Sequence, residues 1–119
     1  MHELSVCQAL VGQLEALAQE QRAVRVVKLL VGIGPLSGVE PALLDQAFPI
    51  AAAGTLAEDA ELTIEHHPVR VHCLQCGRDS DASANRLLCD HCGDWRTELL
   101  SGDELMLVQV EFMRERAYV

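Results

Sequence analysis

Aromatic residues are nearly missing from this chain. One Trp, one Tyr and two Phe are spread over 119 positions, so a core has to be assembled from Leu, Val, Ile and Ala. Lysine is scarcer still, with Lys28 the only one. Nine basic residues face eighteen acidic ones, for a formal net charge of -9. Nucleic-acid binding rests on Lys and Arg neutralising phosphates, so neither a nucleic acid nor an anionic membrane surface is an expected partner. No apolar run approaches the ~18 residues of a spanning helix. The first residues, with His2 and Glu3, lack the basic and apolar regions of a secretory signal. The expected location is the cytoplasm. Half the chain is nonetheless hydrophobic, which excludes wholesale disorder.

Periodicity predicts the framework. Leu4, Cys7, Leu10, Val11, Leu14, Leu17 and Ala18 recur at helical spacing, giving an amphipathic helix over 4–20. The β-branched stretch Val24–Ile33 reads as a strand, with Val27, Leu29, Val31 and Ile33 on one face and Lys28 on the other. A loop rich in Gly and Pro follows, and Pro41 suits the first turn of a second helix. Leu43, Leu44, Ala47, Phe48 and Ala51 form its expected buried face, Pro49 should kink it, and Gly54 stops it. Residues 60–66 alternate as a half-buried strand, and Leu105–Met113 forms a last strand with Met106, Val108, Val110 and Phe112 on one face. The order helix–strand–helix–strand, then the cysteine cluster, then a strand suggests an α/β (α+β) sandwich with a zinc-ribbon-like four-Cys module inserted before the final strand. The domain limits are 1–68 with 98–119 for the helix–sheet part and 69–97 for the module.

The module carries the strongest chemical signal. Cys73-Leu74-Gln75-Cys76-Gly77 and Cys89-Asp90-His91-Cys92-Gly93 are two C-x2-C-G knuckles separated by twelve residues. The spacing lets two sulfurs of each knuckle point at one centre, and four thiolates make a tetrahedral metal site. The polar segment between the knuckles cannot bury a core by itself, and a metal supplies that stability. Zinc is the expected ion. The same knuckles also hold iron in rubredoxin-like electron carriers, and zinc ribbons also serve as interaction modules for nucleic acid. His72 and His91 flank the cysteines and are read as solvated residues.

The amino terminus is a weaker pattern. The Met1 amine, the His2 amide and the His2 imidazole can close adjacent chelate rings on one ion, with the Glu3 amide available to complete the set. Such nitrogens suit square-planar Ni(II) or Cu(II). The same residues also read as an ordinary exposed histidine at a frayed end.

Taken in order, Met1-His2-Glu3-Leu4-Ser5, a helix, a strand ending Val31-Gly32-Ile33-Gly34, Ser37-Gly38-Val39-Glu40 and the two knuckles resemble the HypA/HybF nickel metallochaperones, which help to mature nickel–iron hydrogenases. The resemblance runs the length of the chain and implies an α/β (α+β) fold, a small mixed β-sheet with two helices plus the inserted zinc-ribbon-like four-Cys module. It implies His2 as the key nickel ligand, with the Met1 amine and the backbone at His2 and Glu3 contributing. It implies Cys73, Cys76, Cys89 and Cys92 as structural zinc ligands. It implies a HypB-type GTPase and the hydrogenase large subunit as partners, with Ni(II) as cargo, Zn(II) as structural ion and no catalytic residues. It also suggests a role for Glu40 near the nickel end. Cys7, on the apolar face of the first helix, reads as a buried inert thiol, and His66-His67 as a solvated turn.

Overall fold

A computed structural model describes residues 2–114. The elements run α1 (His2–Gln21), β1 (Ala23–Ile33), α2 (Pro41–Ala52), β2 (Glu61–His66), β3 (Arg70–Cys73), β4 (Asp79–Asp81), β5 (Thr97–Ser101) and β6 (Leu105–Arg114). Two three-stranded sheets result, ordered β2-β1-β6 and β4-β3-β5. The chain divides into two compact units, and residues 32–38 with 65–106 form the second.

The first unit is an apolar core closed by helices. On α1 the side chains of Cys7, Leu10, Val11, Leu14 and Ala18 are buried, the stripe that the i, i+3, i+4 spacing predicts. α1 packs on α2, where Leu44, Ala47, Phe48 and Ala52 are buried. Leu43 is 47% exposed, so the buried face of α2 is narrower than expected and rotated toward Ala52. Pro41 stands in the first turn, where its missing N–H is not needed. Pro49 is accommodated inside the helix, only three residues from its end. After α2 a turn stitched by the Thr55 hydroxyl brings Leu56 back to β1, and its carbonyl accepts from the Val26 amide at 3.0 Å. Val26 is fully buried there and Val27 only half-buried, so the buried phase of β1 changes before Leu29, Val31 and Ile33 take it over. β6 departs from expectation in its first half. Val110 and Phe112 are half-buried, while Met106 and Val108 are largely exposed.

The second unit is built differently. Its sheet is antiparallel, with Val71 opposite Ser80 on one side and Leu99 on the other, and Cys73 opposite Thr97. Val69 and Val71 are buried, and so are Cys73, Cys89 and the hydroxyl-bearing Ser80. The two short strands β4 and β5 give the polar segment and its C-terminal flank a ladder that the sequence does not advertise. His67 corrects the reading of a solvated turn. Its ring is held by Glu65 at 2.9 Å, faces Glu104 at 3.7 Å, and lies where a Cβ on Gly32 would have to be.

Candidate metal centres

The two knuckles have the same backbone design. Gly77 donates to the Cys73 carbonyl at 3.0 Å, and Gly93 to the Cys89 carbonyl at 2.8 Å. Both glycines sit at φ +76, a left-handed conformation that side chains disfavour. The first cysteine of each knuckle donates its amide five residues on, Cys73 to Arg78 and Cys89 to Asp94. Within each loop an amide turns inward onto sulfur. Gln75 and Cys76 donate to the Cys73 Sγ at 3.4 and 3.3 Å, and Cys92 donates to the Cys89 Sγ at 3.4 Å.

These loops bring all four sulfurs to within 4.8 Å of one another. Cys73 and Cys92 approach to 3.6 Å, as do Cys76 and Cys89. All five cysteines of the chain are free. A Zn–S distance near ~2.3 Å requires sulfur–sulfur edges of about 3.8 Å in a tetrahedron. The sulfurs therefore already stand at metal-binding separations and far outside the ~2.05 Å of a disulfide.

The electrostatics ask for a cation. The Cys92 amide, with that of His91, holds the Cys89 thiol down at about 6 against the opposing cost of desolvation. The Cys76 and Gln75 amides lower Cys73 in the same way. Cys92 goes the other way. The Asp94 amide lowers it, but desolvation and its hydrogen bonds to Cys73, Cys89 and Cys76 push it up to about 12. Some of the thiols are thus primed to ionise while their neighbours resist sharing the charge. A divalent ion removes the conflict by stabilising all four thiolates at once. The donor set and its geometry fit zinc, and they fit iron on the same terms.

Support comes from residues that the spacing alone does not reveal. Asp94 forks onto Arg96 at 2.9 and 3.0 Å, and that partner holds its carboxyl down at about 2. Asp94 Oδ1 also accepts from the Arg96 amide at 2.8 Å, which closes the turn after the second knuckle. Ser80, buried on β4, accepts from the Asp90 amide at 3.1 Å and steadies the second knuckle. An Asp-x-Arg spacing beside a knuckle was the one available sequence signal. His72 binds Asp79 at 2.7 Å and His91 is exposed, and neither joins the sulfur cluster.

At the other candidate centre, His2 is exposed in the first turn of α1. The leading N–H groups of a helix have no intrahelical acceptor, which leaves such amides available. Met1 lies outside the described residues. The Glu3 carboxylate accepts from the Glu40 amide at 3.4 Å. The Glu40 side chain forms no cap bond on α2. Cys7 is fully buried with its thiol on the Leu44 carbonyl at 3.5 Å, and burial, aided by Glu3, pushes it up to about 11. Among the described residues the four cysteines are the one side-chain group arranged to hold a metal.

Comparison with known proteins finds one family along nearly the whole chain. Residues 1–112 match the family model described as HypA, hydrogenase/urease nickel incorporation, metallochaperone. The hydrogenase maturation factor HypA of Nitrosospira multiformis is 46% identical over 113 residues, 95% of this chain and 98% of that protein. The Aquifex aeolicus factor of the same name is 41% identical over 93% of this chain and 96% of its own length. The solution structure of the Ni metallochaperone HypA from Helicobacter pylori superposes with a TM-score of 0.73 at 27% identity, covering 95% of this chain and 98% of that one.

Proposed function

The chain belongs to the HypA family of nickel-incorporation metallochaperones, and on that premise we propose that it binds Ni(II) at its amino terminus and delivers it during maturation of a nickel–iron hydrogenase. The ligands in this reading are the Met1 amine, the amide and imidazole of His2, and the backbone at Glu3. The exposed position of His2, ahead of Cys7 as the first buried residue of α1, supports it. An exposed chelate of separate nitrogens can be dismantled one ligand at a time, which gives an acceptor a route in. No catalysis is required of the protein.

Cys73, Cys76, Cys89 and Cys92 hold Zn(II) in this proposal, and the ion organises residues around the two knuckles. The nickel-binding and zinc-binding parts then divide the chain's work. A HypB-type GTPase and the hydrogenase large subunit are the proposed partners, in the cytoplasm, where free thiols persist. The single observation that carries the reading is a family match beginning at residue 1 and running through both knuckles.

The test is a nickel titration, by calorimetry and visible absorption, of protein with its native terminus, of His2→Ala and of an N-terminally extended form. Both altered forms should lose the site while keeping zinc. Binding in the native form should weaken as pH falls through the histidine range near ~6.5, since protons compete for the imidazole and amine. Equal nickel binding in all three forms would refute the terminal site. A colourless purified protein is expected, and the red of an iron–tetrathiolate centre would reassign the cysteines.

A further inference from the structure

The amide of Glu40 opens α2, and its partner comes from another helix. In a capping box the residue at the third helical position, Glu or Gln, reaches back to the N–H of the cap residue. With Glu40 as cap and Pro41 first, that position in α2 is Leu43, which has no acceptor to offer. The Glu40 side chain makes no cap bond either. The acceptor is instead the carboxylate of Glu3, thirty-seven residues earlier, at 3.4 Å from the Glu40 nitrogen. One residue after His2, the chain is therefore tied to the start of a second helix. Four residues further on, the Cys7 thiol meets the Leu44 carbonyl, so the first two turns of α1 are fastened to α2 at both places.

We propose that Glu3 is a positioning residue for the terminal metal site: its side chain completes the α2 cap in trans and so holds the first turn of α1, with His2, in a fixed place. This rests on the reading of His2 as a nickel ligand. That reading takes only backbone atoms from Glu3, so truncating the side chain leaves every proposed donor atom present. What truncation removes is the tether. A loose first turn must be ordered before the chelate closes, and the ordering entropy is then taken from nickel affinity. The glutamine amide oxygen can still accept from Glu40, whereas its charge is gone. Glutamine thus separates the cap from any attraction between a carboxylate and the cation or the helix dipole.

The experiment uses full-length protein with its native terminus, in wild type, Glu3→Ala, Glu3→Gln and His2→Ala forms. Hydrogen exchange at the Glu40 amide and nickel affinity are measured in each. Glu3→Ala should speed Glu40 exchange and weaken nickel roughly threefold to tenfold, the range expected from one modest hydrogen bond. Glu3→Gln should restore both. His2→Ala should abolish the site and leave Glu40 exchange as in wild type. Unchanged Glu40 exchange in Glu3→Ala overturns the tether, and unchanged nickel affinity in Glu3→Ala overturns its role at the site. Failure of Glu3→Gln to restore affinity while restoring Glu40 protection overturns positioning in favour of charge. Nickel retained by His2→Ala refutes the terminal site itself and with it the proposed role of Glu3, while Glu40 exchange reports the tether separately.

Discussion

The two units of this protein reach order by opposite means. The unit containing α1 and α2 buries Leu10, Val11, Leu14, Leu29, Leu44 and Phe48, an aliphatic core in which Phe48 is the one buried aromatic ring among the described residues. The unit containing the knuckles buries Ile33, Val69 and Val71 beside two of its four cysteines, and leaves Leu74, Trp95 and Leu100 more than half exposed. Hydrophobic burial contributes roughly 1.5–3 kcal/mol for each large side chain fully removed from water. The first unit can be stabilised that way. The second has too little to bury, and its sulfurs, held at metal-binding separations, are where its stability must come from. The lesson is that a small polar segment is not under-designed when its missing core is a coordination sphere.

The largest effect should follow from breaking that sphere. Cys73→Ala or Cys92→Ala leaves three thiolates, and the protein should lose its bound metal and the exchange protection of β3–β5. Helical circular dichroism from α1 and α2 should survive. Full metal occupancy in both variants would contradict the tetrahedral assignment, and loss of the helices would show that the contrast between the units is false.

The converse substitution comes next. Leu14→Ala or Leu44→Ala empties a fully buried site in the first unit and should cost about 2–5 kcal/mol in denaturant unfolding of that unit. The metal content should stay at that of wild type. A cavity in one unit that discharged the metal from the other would erase the distinction.

On the proposed assignment, a modest excess of Ni(II) should leave one zinc per chain, because soft thiolates suit zinc and nitrogen donors suit nickel. Stoichiometric zinc release, followed with a zinc indicator, would indicate one exchangeable site in place of two.

The smallest effect concerns Cys7. Burial raises its thiol from 9.0 to about 11, so the fold favours the neutral form. Its contribution is fully present below pH 9, where folded and unfolded thiols are both protonated. It is lost as pH rises from 9 to 11, since the unfolded thiol ionises first. Cys7→Ala should flatten that part of the stability–pH curve for the first unit, and an unchanged slope would show that the thiol is not held neutral there.

Much of this was legible in the residues. The apolar stripe of α1, the Pro41 start of α2, the alternation of β2 and the four converging cysteines all follow from spacing, because each depends on neighbours within a few positions. What spacing missed depends on distant partners. β4 and β5 are polar and short, and they exist because β3 lies between them. Leu43 and Ala52 exchanged expected burial because the packing of α1 on α2 sets which side of the helix faces inward. Met106 and Val108 continue a good alternating pattern but have little packed against them. His67 looked like a turn residue, and only the structure brings Glu104 and the bare Gly32 backbone to its ring. The tie from Glu3 to Glu40 had a negative signal, the absence of Glu or Gln at Leu43. The proposed nickel ligands are the least legible part, since a terminal amine and backbone amides leave no distinctive side-chain pattern beyond His2.

Four sulfurs for zinc and terminal nitrogens for nickel is the proposed division of metals by donor chemistry. X-ray absorption at the zinc and nickel edges, on untagged protein loaded with both ions, tests it most directly. The account predicts zinc surrounded by four sulfurs at about 2.3 Å and nickel in a shell of nitrogen and oxygen without sulfur. Sulfur in the nickel shell, or fewer than four sulfurs around zinc, would contradict it.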